Sequence, residues 1–91
     1  MAFIARIYVT PRADVLDPQG NAVGRALLSL GFDGVGGVRI GRYLEVDVDG
    51  QDAALATEQV KAMCESLLAN TVVEDYRFEI EAIEIEGVGA P

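Results

Sequence analysis

Residues 3–10 alternate without interruption: Phe3, Ala5, Ile7 and Val9 share one side of an extended chain, and Ile4, Arg6, Tyr8 and Thr10 share the other. A period of two is the geometry of a strand. Pro11 follows at once and cannot donate to a ladder, so the strand stops there. One side is wholly apolar and the other mixed, which is the pattern of a sheet covered by helices on one face only.

The rest of the chain supplies the partners. Asp17-Pro18 reads as a helix start, with Asp17 as N-cap and Pro18 in the first helical position. Ala22, Val23, Ala26, Leu27 and Leu30 recur at helical spacing and form one apolar face, and Gly31 suits the left-handed residue that closes a helix. Gly34, Gly36 and Gly37 mark a loose connection. Residues 38–40 and 43–48 read as two strands joined at Gly41-Arg42 in a type II′ turn, with Leu44, Val46 and Val48 alternating against Tyr43, Glu45 and Asp47. A longer helix spans about 52–69, with Ala56, Val60, Met63, Cys64 and Leu67 on its inner face and Asn70 as C-cap. The last strand covers about 76–81, with Phe78 and Ile80 inward and Arg77, Glu79 and Glu81 outward. Ile83 and Ile85 fall on the opposite register, which implies a bulge or an extension leaving the sheet, and 87–91 reads as a loose tail.

The order is β-α-β-β-α-β, the ferredoxin-like split βαβ pattern of an α+β fold. It implies an antiparallel four-stranded sheet in the order 4-1-3-2, with two helices on one face. The other face would carry Ile4, Tyr8 and Tyr43, with Arg6 between Glu45 and Asp47 on one side and Glu79 and Glu81 on the other. An apolar and charge-matched sheet face on a small chain favours pairing with a second sheet, so a homodimer or a dimer of dimers is expected through Ile4, Arg6, Tyr8 and Tyr43.

With 91 residues, the chain is read as a single domain, 1–91, too small to bury a large core alone. Its apolar fraction of 51% is too high for disorder. The net charge of −8 argues against nucleic acid and anionic membranes, which demand basic patches. One cysteine allows no internal disulfide, no run of residues is long and apolar enough to span a membrane, and the N-terminus lacks a signal-peptide pattern. A cytoplasmic location is the expectation.

Candidate chemistry is sparse. There is no histidine, and Ser29, Ser66, Thr10, Thr57 and Thr71 have no evident activating partner. Cys64 falls on an apolar helix face, as an inert core thiol does. Asp47, Asp49 and Asp52 cluster around Gly50 but miss the spacing of a calcium loop, and they suit a strand end and a helix cap. The pairs Glu79/Glu81 and Glu84/Glu86 read as solvated or salt-bridged strand faces. The glycines of 34–37 lead into a strand rather than a helix N-terminus, which disfavours a phosphate cradle. Gly20 and Gly24, four apart, permit close helix packing. No catalytic, cofactor-binding or metal-binding residue is assigned.

Several stretches, in order along the chain, carry a resemblance. They are Val15-Leu16-Asp17-Pro18-Gln19-Gly20, Leu30-Gly31-Phe32, Val38-Arg39-Ile40-Gly41-Arg42-Tyr43, Met63-Cys64-Glu65-Ser66-Leu67-Leu68-Ala69-Asn70 and Glu74-Asp75-Tyr76-Arg77-Phe78. Together they resemble the PurS family, the small subunit of phosphoribosylformylglycinamidine synthase. The resemblance implies a non-catalytic chain that bridges a synthetase subunit (PurL) and a glutaminase subunit (PurQ) in purine biosynthesis. It implies a complex that uses ATP and magnesium, with no cofactor held by this chain. The glutaminase would release ammonia. The synthetase would activate the amide oxygen of formylglycinamide ribonucleotide with ATP, and ammonia would displace phosphate to give the amidine. Asp17, Pro18, Gln19 and Gly20, with Gly41, Arg42 and Tyr43, are then expected to present ordered backbone for docking. Two other readings share the topology: a free-standing regulatory domain binding a small metabolite, and an acylphosphatase-like enzyme, for which Pro11-Arg12-Ala13-Asp14 lacks the needed glycines.

Overall fold

A computed structural model describes residues 1–83. The elements are β1 (Ala2–Pro11), α1 (Pro18–Ser29), β2 (Arg42–Asp49), α2 (Ala53–Met63), a π-helical turn (Cys64–Leu68) and β3 (Glu74–Ile83). The sheet has three strands in the order β2-β1-β3, both pairs antiparallel. Residues 84–91, including Glu84, Ile85, Glu86 and the expected tail, lie outside the described residues.

β1 is central because its apolar side is complete. Phe3, Ala5, Ile7 and Val9 are all buried, and α2 with the π turn that follows closes over them through Ala56, Val60 and Cys64. Val48 completes the buried set on the β2 side, and Tyr76, Phe78 and Ile80 of β3 pack against it half-buried. Each fully buried Ile, Val or Phe stabilises the fold by about 1.5–3 kcal/mol, so this small cluster supplies most of the hydrophobic driving force.

Both ends of α1 and the start of α2 match the sequence reading. Asp17 accepts from the Gly20 N–H at 3.0 Å, and Pro18 fills the first turn. Gly31 adopts φ +99° while Phe32 N–H donates to Leu27 C=O and Gly31 N–H to Leu28 C=O, a Schellman closure. Asp52 caps α2 by accepting from the Leu55 N–H at 2.9 Å.

Four expectations are corrected. First, residues 38–40 form no strand, so the described fold is β-α-β-α-β. The second carboxylate oxygen of Asp17 accepts from the Ile40 N–H at 3.0 Å, and the Gly20 backbone presses on the Val38 carbonyl. Polar groups that a ladder would need are therefore directed at the start of α1. Second, no type II′ turn exists at Gly41-Arg42, since Gly41 lacks the positive φ that turn requires. A Cβ on Gly41 would lie 1.9 Å from the Val9 carbonyl oxygen, so glycine is needed for a close crossing instead. Third, α2 runs into a π turn in which Ala69 N–H donates to Cys64 C=O. The extra residue turns Leu67 outward, 81% exposed, and brings Leu68 toward the core. Asn70 then shapes the turn into β3, its side chain accepting from Val72 N–H, rather than capping the helix. Fourth, β3 keeps an unbroken register to Ile83, which pairs with Ala2, so the phase change places Ile83 on the open face without a bulge.

The largest departure is α1. Only Gly20 of this helix is buried, and α1 makes no packing on the sheet comparable to that of α2. Residues 12–41 form an arm that leaves the ends of β1 and β2. The radius of gyration is accordingly 17.5 Å, against roughly 12 Å for a compact chain of this length.

Candidate interaction surfaces

The open face of the sheet is built row by row from the strand register. One row runs Tyr43–Tyr8–Arg77, the next Glu45–Arg6–Glu79, and the next Asp47–Ile4–Glu81. In the first row the Tyr8 and Tyr43 rings are 5.1 Å apart and tilted, and the Arg77 guanidinium lies 4.0 Å above the Tyr8 ring. Arg6 reaches diagonally to Glu81 at 2.8 Å, a charge-assisted bond that raises its pKa. Tyr43 donates to Glu45 at 2.7 Å, and that bond, with desolvation, pushes its phenol pKa up. Tyr8 donates to Glu79 at 3.4 Å. Ile4, Arg6, Tyr8 and Tyr43 thus share one face. Arg77, which the sequence marks only as outward, joins them by stacking on Tyr8, a contact invisible until the register of β3 is known.

The expected docking residues divide. Asp17, Pro18, Gln19 and Gly20 lie at the start of α1, where Pro18 and Gln19 are exposed and Gly20 is buried. The two backbone bonds accepted by Asp17, from Gly20 first and Ile40 second, hold its carboxyl below the usual carboxylate range. This corner is tied to 38–40 and so sits next to Gly41. Arg42 and Tyr43, however, point to opposite faces. Tyr43 belongs to the open sheet face, whereas Arg42 stands opposite Val9 on the helix side. There its guanidinium grips Glu74 in a fork, at 2.8 and 2.9 Å, and donates to the Leu68 carbonyl at 2.7 Å. Glu74 also accepts from Asn70 N–H at 2.8 Å, and Arg42, then Asn70, lower its pKa. Arg42 is therefore a stitch between β2, the end of the π turn and β3, rather than a free outward charge.

On the helix side, an apolar groove runs between α2 and β2, lined chiefly by Val46, Ala62, Met63, Leu67 and Leu68. Nearby, Tyr76 donates to Glu65 at 2.7 Å, which pushes its phenol up to about 12. Cys64 is buried beneath α2, and desolvation raises its thiol pKa, opposing the nucleophilic thiolate. Among the described residues, no group of three or more His, Cys, Asp or Glu side chains is placed to hold a metal, and no helix is long and apolar enough to cross a membrane.

Comparison with known proteins gives one answer. Residues 4–82 match the family described as PurS: Phosphoribosylformylglycinamidine (FGAM) synthase. The PurS subunit of phosphoribosylformylglycinamidine synthase from Synechocystis sp. is 53% identical over 83 residues, which is 91% of this chain and 83% of that protein. The crystal structure of Bacillus subtilis PurS matches with a TM-score of 0.76 at 49% identity, covering 88% of this chain and 99% of that one. A chain in the structure of PurLQS from Thermotoga maritima matches with a TM-score of 0.81 at 33% identity, covering 89% of this chain and 99% of that one.

Proposed function

Because this chain belongs to the PurS family and is a subunit of FGAM synthase in purine biosynthesis, we propose that it is the non-catalytic bridge between the synthetase and glutaminase subunits. The observation that carries this reading is the likeness, over nearly the whole chain, to a chain of the Thermotoga maritima PurLQS structure. PurL and PurQ are accordingly the partners. The ATP and magnesium used by the complex act on the partner subunits. The surfaces described above suit a connector: they are ordered by caps, close glycine contacts and ion pairs.

The docking surface for those partners takes in the Asp17, Pro18, Gln19, Gly20 and Gly41 corner, with Arg42 contributing by holding the sheet end in shape and Tyr43 by its ring on the open face. The open face also associates with a second copy of the chain. Arg6 and Arg77 stand among Glu45, Asp47, Glu79 and Glu81, so two such faces can pair opposite charges around a Tyr8–Tyr43 centre.

The test is amidine formation by the reconstituted three-part enzyme, with glutamine and with ammonium salts side by side. A chain that couples glutaminase to synthetase, and helps ammonia pass between them, is needed with glutamine and largely dispensable with excess ammonia, because free ammonia bypasses the coupling. Equal loss with both nitrogen sources on omitting the chain means that it supports the synthetase site directly, and the bridge is then abandoned.

A further inference from the structure

A cleft of about 200 Å³ runs between one flank of α1 and residues 35–38 of the same arm. Asn21 and Arg25, one helical turn apart, line it from the helix, and Gly36 and Gly37 line it from the loop. No acidic side chain lines it, although the whole chain carries −8. Among the described residues Arg25 pairs with no carboxylate, whereas Arg6, Arg12, Arg42 and Arg77 each find one.

The loop brings bare backbone to the same place. Among the described residues, the N–H groups of Gly36 and Gly37 reach no backbone carbonyl. A strand following the glycines disfavours a phosphate cradle, but 38–40 form none, and the loop runs along a helix instead. Nor does the fold call for glycine at 36 or 37: neither has a positive φ, and a Cβ on either would meet nothing within 4 Å. What glycine adds there is close access to the main chain for a ligand. The start of α1 is not part of this cradle's supply of donors, because the Gly20 and Asn21 N–H groups are already bonded to Asp17.

Donors on both walls, one of them charged, select an anion. The guanidinium presents a fork of N–H groups, the Asn21 amide adds its own, and the glycines add one each, a set that suits the oxygens of a phosphate better than the two of a carboxylate. The cleft is smaller than the roughly 300–1,000 Å³ of a site that encloses a drug-sized ligand. It therefore takes the phosphate group itself and leaves whatever carries that group outside.

We propose that this cleft binds a phosphate group, free or at the end of a sugar phosphate. Arg25 grips it through its fork, and Asn21 with the Gly36 and Gly37 N–H groups holds the remaining oxygens. The bound group ties α1 to 35–38 and so stabilises the arm by mass action. Neither the bridging role nor the pairing of copies is needed for this site.

The experiment is an NMR titration of the full isotope-labelled chain with inorganic phosphate and, separately, with ribose 5-phosphate, at an ionic strength held constant with chloride. The Gly36 and Gly37 amide signals and the Arg25 Nε–H signal shift together and saturate, and amide exchange in α1 slows. Arg25→Gln weakens binding by about tenfold or more, because the charge-assisted fork is lost. Gly36→Ala combined with Gly37→Ala weakens it similarly by covering the main chain, while Tm without ligand does not fall, since the added methyls meet nothing in the fold. Arg39→Gln removes the same charge from the arm outside the cleft and leaves binding unchanged. Tighter saturation by ribose 5-phosphate assigns the site to a sugar phosphate, and equal or weaker saturation assigns it to free phosphate. Shifts that never saturate, shifts that persist undiminished in Arg25→Gln, or a loss in Arg39→Gln as large as that in Arg25→Gln overturn the site.

Discussion

The sheet with α2 and the arm of 12–41 are held together by different means. In the first, side chains are interlocked: Ile7, Val9 and Val60 are fully buried. In the second, the backbone is interlocked and the side chains are bare: Asp17 bonds two backbone N–H groups, Gly20 and Gly41 allow close approach, and Leu16, Leu30 and Phe32 stand more than half exposed. The contrast separates order from burial. Hydrogen bonds and tight turns suffice to shape a segment, but they bury little apolar area and so contribute little net stability. A segment ordered without a core is one prepared to complete its core elsewhere.

The largest test of this contrast is Ile7→Ala, which opens a cavity beneath α2. It should cost about 2–5 kcal/mol in urea unfolding. Val23→Ala in the arm should stay within about 0.5 kcal/mol for the dissociated chain. Equal costs would erase the distinction between the two regions.

Glycines sharpen it next. A Cβ on Gly20 would stand 2.2 Å from the Val38 carbonyl oxygen, whereas one on Gly34 meets nothing within 4 Å. Gly20→Ala should therefore cost about 1–3 kcal/mol of arm order, seen as faster amide exchange in α1, because backbone must move. Gly34→Ala should be neutral or stabilising by up to about 1 kcal/mol through the unfolded chain. If both behave alike, the arm is not held by close backbone contact.

The smallest effect lies at the seam between the regions. Arg42→Ala removes the fork to Glu74, and because Arg42 is half exposed the cost should be about 1 kcal/mol or less. Its pH dependence has a definite sign. The folded-state pKa of Glu74 is lowered by Arg42 and by the Asn70 N–H. The contribution is full above the unfolded glutamate value near ~4.3 and is lost as pH falls through the lower folded value. The stability gap between wild type and Arg42→Ala should therefore narrow under acid, leaving the part owed to the Leu68 carbonyl. A gap that stays constant down through that window would show that Arg42 acts through the Leu68 carbonyl and packing, and not through Glu74.

Strand alternation and three of the four helix ends were legible in the chain, whereas the turn at Gly41-Arg42 and the Asn70 cap were not. The alternation of β1, the Asp17-Pro18 start, the Gly31 closure, the Asp52 cap and the inner Ala56, Val60 and Cys64 face are local patterns, each set by residues within a few positions of one another. The open-face row of Ile4, Arg6, Tyr8 and Tyr43 followed from the same alternation. The docking residues were less legible, since Arg42 has ample exposure in sequence terms but finds Glu74 only because β2 and β3 begin at the same end of the sheet.

By itself the sequence determined that β1, β2 and β3 are extended and that α1 and α2 are helical, and it marked the apolar side of β1, because those depend on neighbours within one turn or one pleat. Tertiary structure alone decided whether each apolar side is covered. The 38–40 stretch has a strand's composition, yet its Ile40 N–H goes to Asp17, twenty-three positions earlier, and not to a ladder. Leu67 has a core residue's spacing, yet one π turn rotates it into solvent. Competition for a single backbone donor, and one added residue in a helical turn, are events between segments, and local pattern carries no record of them.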